Sequence, residues 1–259
     1  MTWALVAWLV AGSLGGEPPV PVSGPEAARV VWERAVEAKG GRERLATISR
    51  VAISSTSVWG YWPISRIVVS YEKLLVPPGR LWHWMDERPS KFGLRLEVID
   101  MQRGTAPVVH EGFPPRMSGK ANEDDGRFIT RLQLMTLLET PSARPVLRRT
   151  WEARWRRRAV SVVEAEVNGD VYEFTFARDS HLLVRLVAPP PGPNTPWECQ
   201  LADYTSVEGI PLPGKVTEIL ASGIKWTERT TYALNVDYDE SIFEAPPSLA
   251  RGPKGCRRP

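Results

Sequence analysis

The stretch VEAEVNGDVYEFTF, residues 163–176, constrains the fold more than any other part of the chain. Asn168-Gly169 is the dipeptide of a two-residue type I′ hairpin, because both central residues of that turn need φ above zero. Beyond the turn, Tyr172, Phe174 and Phe176 alternate with Glu173 and Thr175, which sets three aromatic rings on one face of a strand. A lone hairpin is marginal in water, so such a pair needs further strands. Period-two runs supply them at 51–59, 65–75, 80–86, 94–101, 105–111, 160–167, 171–177, 183–188, 197–205, 215–220 and 227–236. Their short spacing predicts an antiparallel meander and argues against βαβ units.

The stretch ADYTSVEGIPLPGKVTEI, residues 202–219, interrupts this pattern. Proline cannot donate to a ladder, so Pro211 and Pro213 read as a corner between two strands, with Gly209 supplying the unusual backbone angle. Helices are fewer. PEAARVVWERAVEAKGG, residues 25–41, starts on a proline and ends on two glycines, and a short helix over GRERLATI, residues 41–48, is expected next. GRFITRLQLMTLLET, residues 126–140, is apolar around most of its circumference and stops at Pro141. A helix of that kind must be covered, and a curved sheet has room for it in its hollow.

The N-terminal WALVAWLVAGSLGG, residues 3–16, reads as an export signal with cleavage expected between residues 13 and 16. The apolar run is short for a membrane span, and no cysteine lies there to carry a lipoprotein anchor. The expected organisation is a signal peptide at 1–16, a proline-rich linker at 17–25, one domain at 26–247 and a basic tail at 248–259. Cys199 and Cys256 are the only cysteines. In an exported chain they either join or remain two thiols, and both readings stay open. A formal charge of +3 is too small to argue for nucleic acid, whereas 11 tryptophans are enough to line an apolar groove as well as fill a core.

Five pieces in order carry a family resemblance: EAKGGRERLATISRV, the β meander, YEFTFARDSHLLVRL, ADYTSVEGIPLPGKV and YALNVDYDESIFEAPP. With them the chain resembles the LolA/LolB-like superfamily, and more narrowly its outer-membrane lipoprotein-sorting-like proteins, over residues 25–247. The resemblance implies a mostly β, α+β fold: an unclosed antiparallel half-barrel with helices in its concave side and an apolar cavity between. It implies a periplasmic, non-catalytic module for lipid acyl chains or acylated proteins. The segment at 82–113 is richer in tryptophan than the family pattern.

The expected cavity residues are Trp59, Tyr61, Trp62, Trp82, Trp84, Met85 and Phe92 from the early strands, facing Phe128, Leu132, Met135 and Leu138 of the helix. The helix at 128–139 is the expected lid. His83, His110 and His181 lie in separate segments without metal-ligand spacing, G-x-S-x-G is absent, and NEDDGR at 122–127 lacks the distal acid of a calcium loop. That hexapeptide reads as a turn capping the next helix. No metal, cofactor or catalytic residue is expected.

RRTWEARWRRRAV, residues 148–160, reads as one strand with Arg154, Arg156 and Arg158 on a common face. That face is either solvated or docks an anionic membrane or an acidic envelope protein; no nucleic acid is expected to meet an exported chain. The competing function is a protein-interaction or envelope-sensing domain, with a filled core and this basic strand as its contact.

Overall fold

A computed structural model describes residues 23–59, 67–88, 93–111, 119–140, 144–188, 196–220 and 223–243. The expected signal peptide, most of the linker and the tail lie outside them. Helix α1 (Pro25–Ala38) begins with proline at its first turn, where the missing N–H costs nothing. It ends where Gly40 and Gly41, at φ 112° and 84°, turn the chain left-handed. The amides of Gly40 and Gly41 close on the carbonyls of Glu37 and Val36. Helix α2 (Arg42–Ala46) follows at once.

Strands β1 (Val51–Trp59), β2 (Ile67–Val76), β3 (Arg80–Asp86), β4 (Leu94–Asp100) and β5 (Val108–His110) form a meander. Helix α3 (Glu123–Leu137) leads to a second meander. It comprises β6 (Val146–Trp155), β7 (Arg158–Val167), β8 (Asp170–Ala177), β9 (Leu183–Val187), β10 (Pro196–Val207), β11 (Ile210–Leu220) and β12 (Lys225–Leu234). All twelve join one antiparallel sheet in the order β5-β4-β3-β2-β1-β12-β11-β10-β9-β8-β7-β6. The sheet does not close, because β5 and β6 are its two edges. This is the open half-barrel that the resemblance implies.

Helix α3 therefore links one edge strand to the other. Its 15 residues, ~22 Å long at 1.5 Å each, lie in the hollow. There its Ile129, Leu132, Leu134, Met135 and Leu137 join the main core with Trp32 of α1 and Phe174 and Phe176 of β8. Helix α1 packs on β6 and β7. Phe243, in a short 3-10 helix at Glu240–Phe243, covers Leu74, Trp82 and Val98 on the outer, convex face.

Two turns depart from the expected pattern. The prolines of GIPLPG lie inside β11, and the corner is the preceding pair Glu208-Gly209 at φ 51° and 78°. Pairing of β11 with β12 starts only at Lys215, so the missing N–H groups of Pro211 and Pro213 break no ladder on that side. Their carbonyls are held by side chains instead: Lys39 Nζ donates to Pro211 O, and Tyr232 Oη to Pro213 O at 2.9 Å.

The basic stretch is likewise not one strand. Arg156 and Arg157, at φ 50° and 68°, are the two-residue turn between β6 and β7. Arg154 pairs with Ala159 one step away from Trp155 with Arg158, so Arg154 and Arg158 point to opposite faces of the sheet. The common face expected for Arg154, Arg156 and Arg158 does not exist.

Candidate functional site

The hollow between α3 and the sheet is the candidate site. Asn122 caps α3, accepting from the amides of Asp124 and Asp125 at 2.8 and 3.2 Å. Asp125 returns the bond by accepting from the Asn122 amide at 2.8 Å, a reciprocal cap that fixes where the helix starts. Three acidic residues in the first turn favour the positive end of the helix dipole. Every residue from Ile129 to Thr140 is buried. The polar ones among them are largely bonded: Gln133 Nε2 donates to Pro78 O at 2.9 Å, and Thr136 Oγ1 to Leu132 O at 2.6 Å.

Charged contacts clasp the helix at both ends. Arg127 Nε donates to Asp170 Oδ2 at 2.9 Å. Just past the helix, Leu138 turns left-handed at φ 67° and delivers the buried Glu139 to α1 and α2. There Glu139 accepts from Trp32 Nε1 at 2.9 Å and from Arg42 Nε at 2.6 Å, and Arg42 also reaches Glu33 at 3.1 Å.

Under α3, the part of the hollow formed by β7–β10 is apolar. Trp32 stands edge-on to Phe174 and Phe176, with centroids 4.9 and 5.8 Å apart. The space left between α1, α3, Leu183 and Tyr204 is a cavity of about 10 Å³, room for at most one water. Toward the other end the hollow turns polar. Lys73 Nζ lies 3.3 Å from Glu228 Oε2, which also accepts from Ser55 Oγ at 2.7 Å. His83 sits between the rings of Tyr71 and Phe128, with Nδ1 3.8 Å from Glu97 Oε2. Burial pushes the His83 imidazole below its ordinary pKa and raises the Glu218 carboxyl, the latter against the opposing pull of Arg131.

The expected cavity residues are divided by this geometry. Leu132, Met135 and Leu138 are buried in the main core, and Phe128 is half-buried against it. Met85 faces the hollow beside Val69 and Tyr71. Trp82 and Trp84 lie on the convex face, Trp82 packed with Leu74 and Phe243. The reason is the strand period: Leu81, His83 and Met85 share one face of β3, so Trp82 and Trp84 must take the other. The backbone of Trp59 ends β1, but its side chain, with Tyr61, Trp62 and Phe92, lies outside the described residues.

Sequence reasoning missed Lys73, His83 and Glu228 as interior groups. Lys73 did carry a signal, since it falls in phase with Tyr71 and Leu75 on the apolar side of β2. Its partner Glu228, 155 residues away, could not be read from the local pattern. Among the described residues, no group of three or more His, Cys, Asp or Glu is placed to hold a metal. Cys199 is a buried free thiol, while Cys256 lies outside the described residues.

At the hairpin tip, Arg156 stacks on Trp155 at 4.7 Å and bonds Gln200 at 2.5 Å, and Arg158 pairs with Asp179 at 2.6 Å. With Lys215, these arginines rim a convex-side groove of about 480 Å³ floored by Trp155, Leu182 and Val184.

No protein-family model matches the chain. No curated protein matches it either. Solved structures do. A LolA superfamily protein from Nitrosomonas europaea matches with a TM-score of 0.52 at 14% identity, over 83% of this chain and 96% of that one. A domain named for outer-membrane lipoprotein sorting, from Vibrio parahaemolyticus, scores 0.45 at 11% identity over 83% and 97%. A DUF1329 family protein from Desulfovibrio piger scores 0.42 at 10% identity over 85% and 98%. The first of these likenesses establishes the fold: an open antiparallel sheet wrapped around helices.

Proposed function

We propose, for a chain with the fold of a LolA superfamily protein, that it is an exported, periplasmic and non-catalytic module that takes up lipid acyl chains, free or protein-linked, for transport or sorting in the cell envelope. The observation that carries this reading is α3 itself: a helix buried from Ile129 onward, strung between the two edges of an open sheet over an apolar hollow. The hollow is filled, so acyl chains enter only when α3 swings out as a lid and they take the place of its side chains against Phe174 and Phe176. Burying ~12 methylenes at ~0.8 kcal/mol each yields roughly 10 kcal/mol before ordering costs, enough for affinity without charge recognition. The clasp of Arg42 and Trp32 on Glu139 then sets how often the lid opens.

The test is native mass spectrometry of the mature chain purified without detergent, followed by uptake of a fluorescent fatty acid after organic extraction. Extractable mass is expected on the purified chain. Uptake by Glu139→Gln should be about fivefold faster than by the parent, because one charge-assisted bond to the lid is weakened by roughly 1 kcal/mol. The cavity of only about 10 Å³ favours the second reading, a filled-core envelope-sensing or interaction domain that contacts an acidic partner or anionic membrane through the arginine-rimmed hairpin. A clean apo mass, with no uptake by parent or variant, would give the function to that reading.

A further inference from the structure

The concave face of the sheet changes chemistry row by row. In register across β12, β1, β2, β3 and β4, one row reads Leu234, Val51, Leu75, Leu81 and Ile99, all apolar and all in the main core. The next reads Tyr232, Ile53, Lys73, His83 and Glu97, and the one after it Thr230, Ser55, Tyr71, Met85 and Arg95. Ser57 and Glu228 pair in the row beyond. A half-barrel that only stored hydrocarbon would have no use for these groups, and burying them costs free energy unless each is bonded.

Several are not bonded within the protein. Ser57 Oγ, Thr230 Oγ1 and both ring nitrogens of His83 are buried without a hydrogen-bond partner. Ser57, His83 and Thr230 are 1%, 7% and 7% exposed. Each is able to donate. Ser55 and Lys73 take Glu228 Oε2, Arg95 takes Glu97 Oε1 at 3.4 Å, and Glu97 Oε2 stands 3.8 Å from His83 Nδ1, too far for a hydrogen bond. Lys73 offers three N–H groups and spends one on Glu228, with its ammonium 5.1 Å above the Tyr71 ring. This end of the hollow thus has buried donors that no acceptor among the described residues reaches. Buried groups left over in this way point to something that completes them.

We propose that the polar end of the hollow holds the acceptor-rich head group, a phosphate or carboxylate, of an amphiphile whose chains lie along α3 in the apolar part. The proposal rests on the acyl-chain reading above and gives it a ligand class. Ser57, Thr230 and Lys73 donate to the head-group oxygens, His83 donates through one ring nitrogen, and Glu228 stays neutralised by its existing bonds.

The test compares octyl phosphate, octanol and inorganic phosphate by titration calorimetry on the full mature chain, in the parent and in the Ser57→Ala/Thr230→Val double variant. Both hydroxyls lack partners, so their removal leaves the fold intact, and melting temperature and circular dichroism verify this. Octyl phosphate is expected to bind about tenfold more tightly than octanol, the scale of one or two charge-assisted hydrogen bonds. In the double variant that preference should shrink to about twofold. Equal binding of octyl phosphate and octanol would overturn the head-group site and leave the acyl-chain reading standing. Binding of neither would overturn both. Inorganic phosphate binding as tightly as octyl phosphate would make this a free-anion site and overturn the amphiphile. A preference that survives intact in the double variant would also overturn the assignment.

Discussion

Lys39 shows how one side chain can hold an irregular turn and set a pH response. It is 5% exposed, its ammonium lies 5.5 Å from the Tyr204 ring, and it donates to Pro211 O. Burial lowers its pKa from 10.5 to about 7. The folded state therefore favours the neutral amine. Its contribution is full above pH 10.5, is lost as pH falls toward 7, and is constant below that. The difference is on the order of 4 to 5 kcal/mol. The urea midpoint of the parent is expected to rise between pH 7 and pH 10, while that of Lys39→Met stays nearly level; parallel profiles would show that another group titrates. None of this was legible in EAKGG, where the lysine reads only as a helix end. Pro211 and Pro213 were legible as residues that cannot donate to a ladder. That they sit in a strand whose other neighbour begins at Lys215 depends on a pairing no local pattern encodes.

Among the elements, the β6–β7 and β7–β8 hairpins of the second meander are a natural contrast. Asn168-Gly169, at φ 54° and 86°, forms the turn its sequence announces. Arg156-Arg157 forms a turn with the same signs of φ from residues that disfavour it, which is why the segment reads as unbroken strand. Left-handed backbone costs an arginine roughly 1 to 2 kcal/mol. Replacing the pair by Asn-Gly should stabilise the protein by about 1 to 2 kcal/mol, since the exposed Arg156 contact with Gln200 is worth little. A thermal melt should then shift upward by roughly 2 to 6 °C. No upward shift would mean that the arginine contacts at the tip offset the strain. Helix α3 was legible as an enclosed apolar helix, and NEDDGR as its cap. The clasp at Glu139 was not, because its partners are 107 and 97 residues away.

At the level of the whole molecule, the open sheet was readable from the strand runs and the order of the quoted pieces. Which tryptophans face inward was not, since Trp82 and Trp84 are apolar in a strand with two covered faces. The buried Cys199 gives a probe of the intact architecture. Its thiol lies in the main core, and burial raises its pKa strongly. With Cys256→Ser, labelling of Cys199 by a thiol reagent should be gated by opening of the hollow and be faster in Glu139→Gln than in the parent. Equal rates would show that the thiol is exposed by an opening that leaves the clasp intact.

The central seam of the sheet, finally, bears on when the protein can fold at all. The strands β2–β5 and β6–β11 are joined to one another only through β1 and β12, which lie side by side although they open and close the strand sequence. Each meander can zip by local hairpins, but the two halves of the sheet stay unpaired until β12 is available to meet β1. All twelve strands must therefore be available before the half-barrel can exist, so its hollow is the last feature that the growing chain can complete.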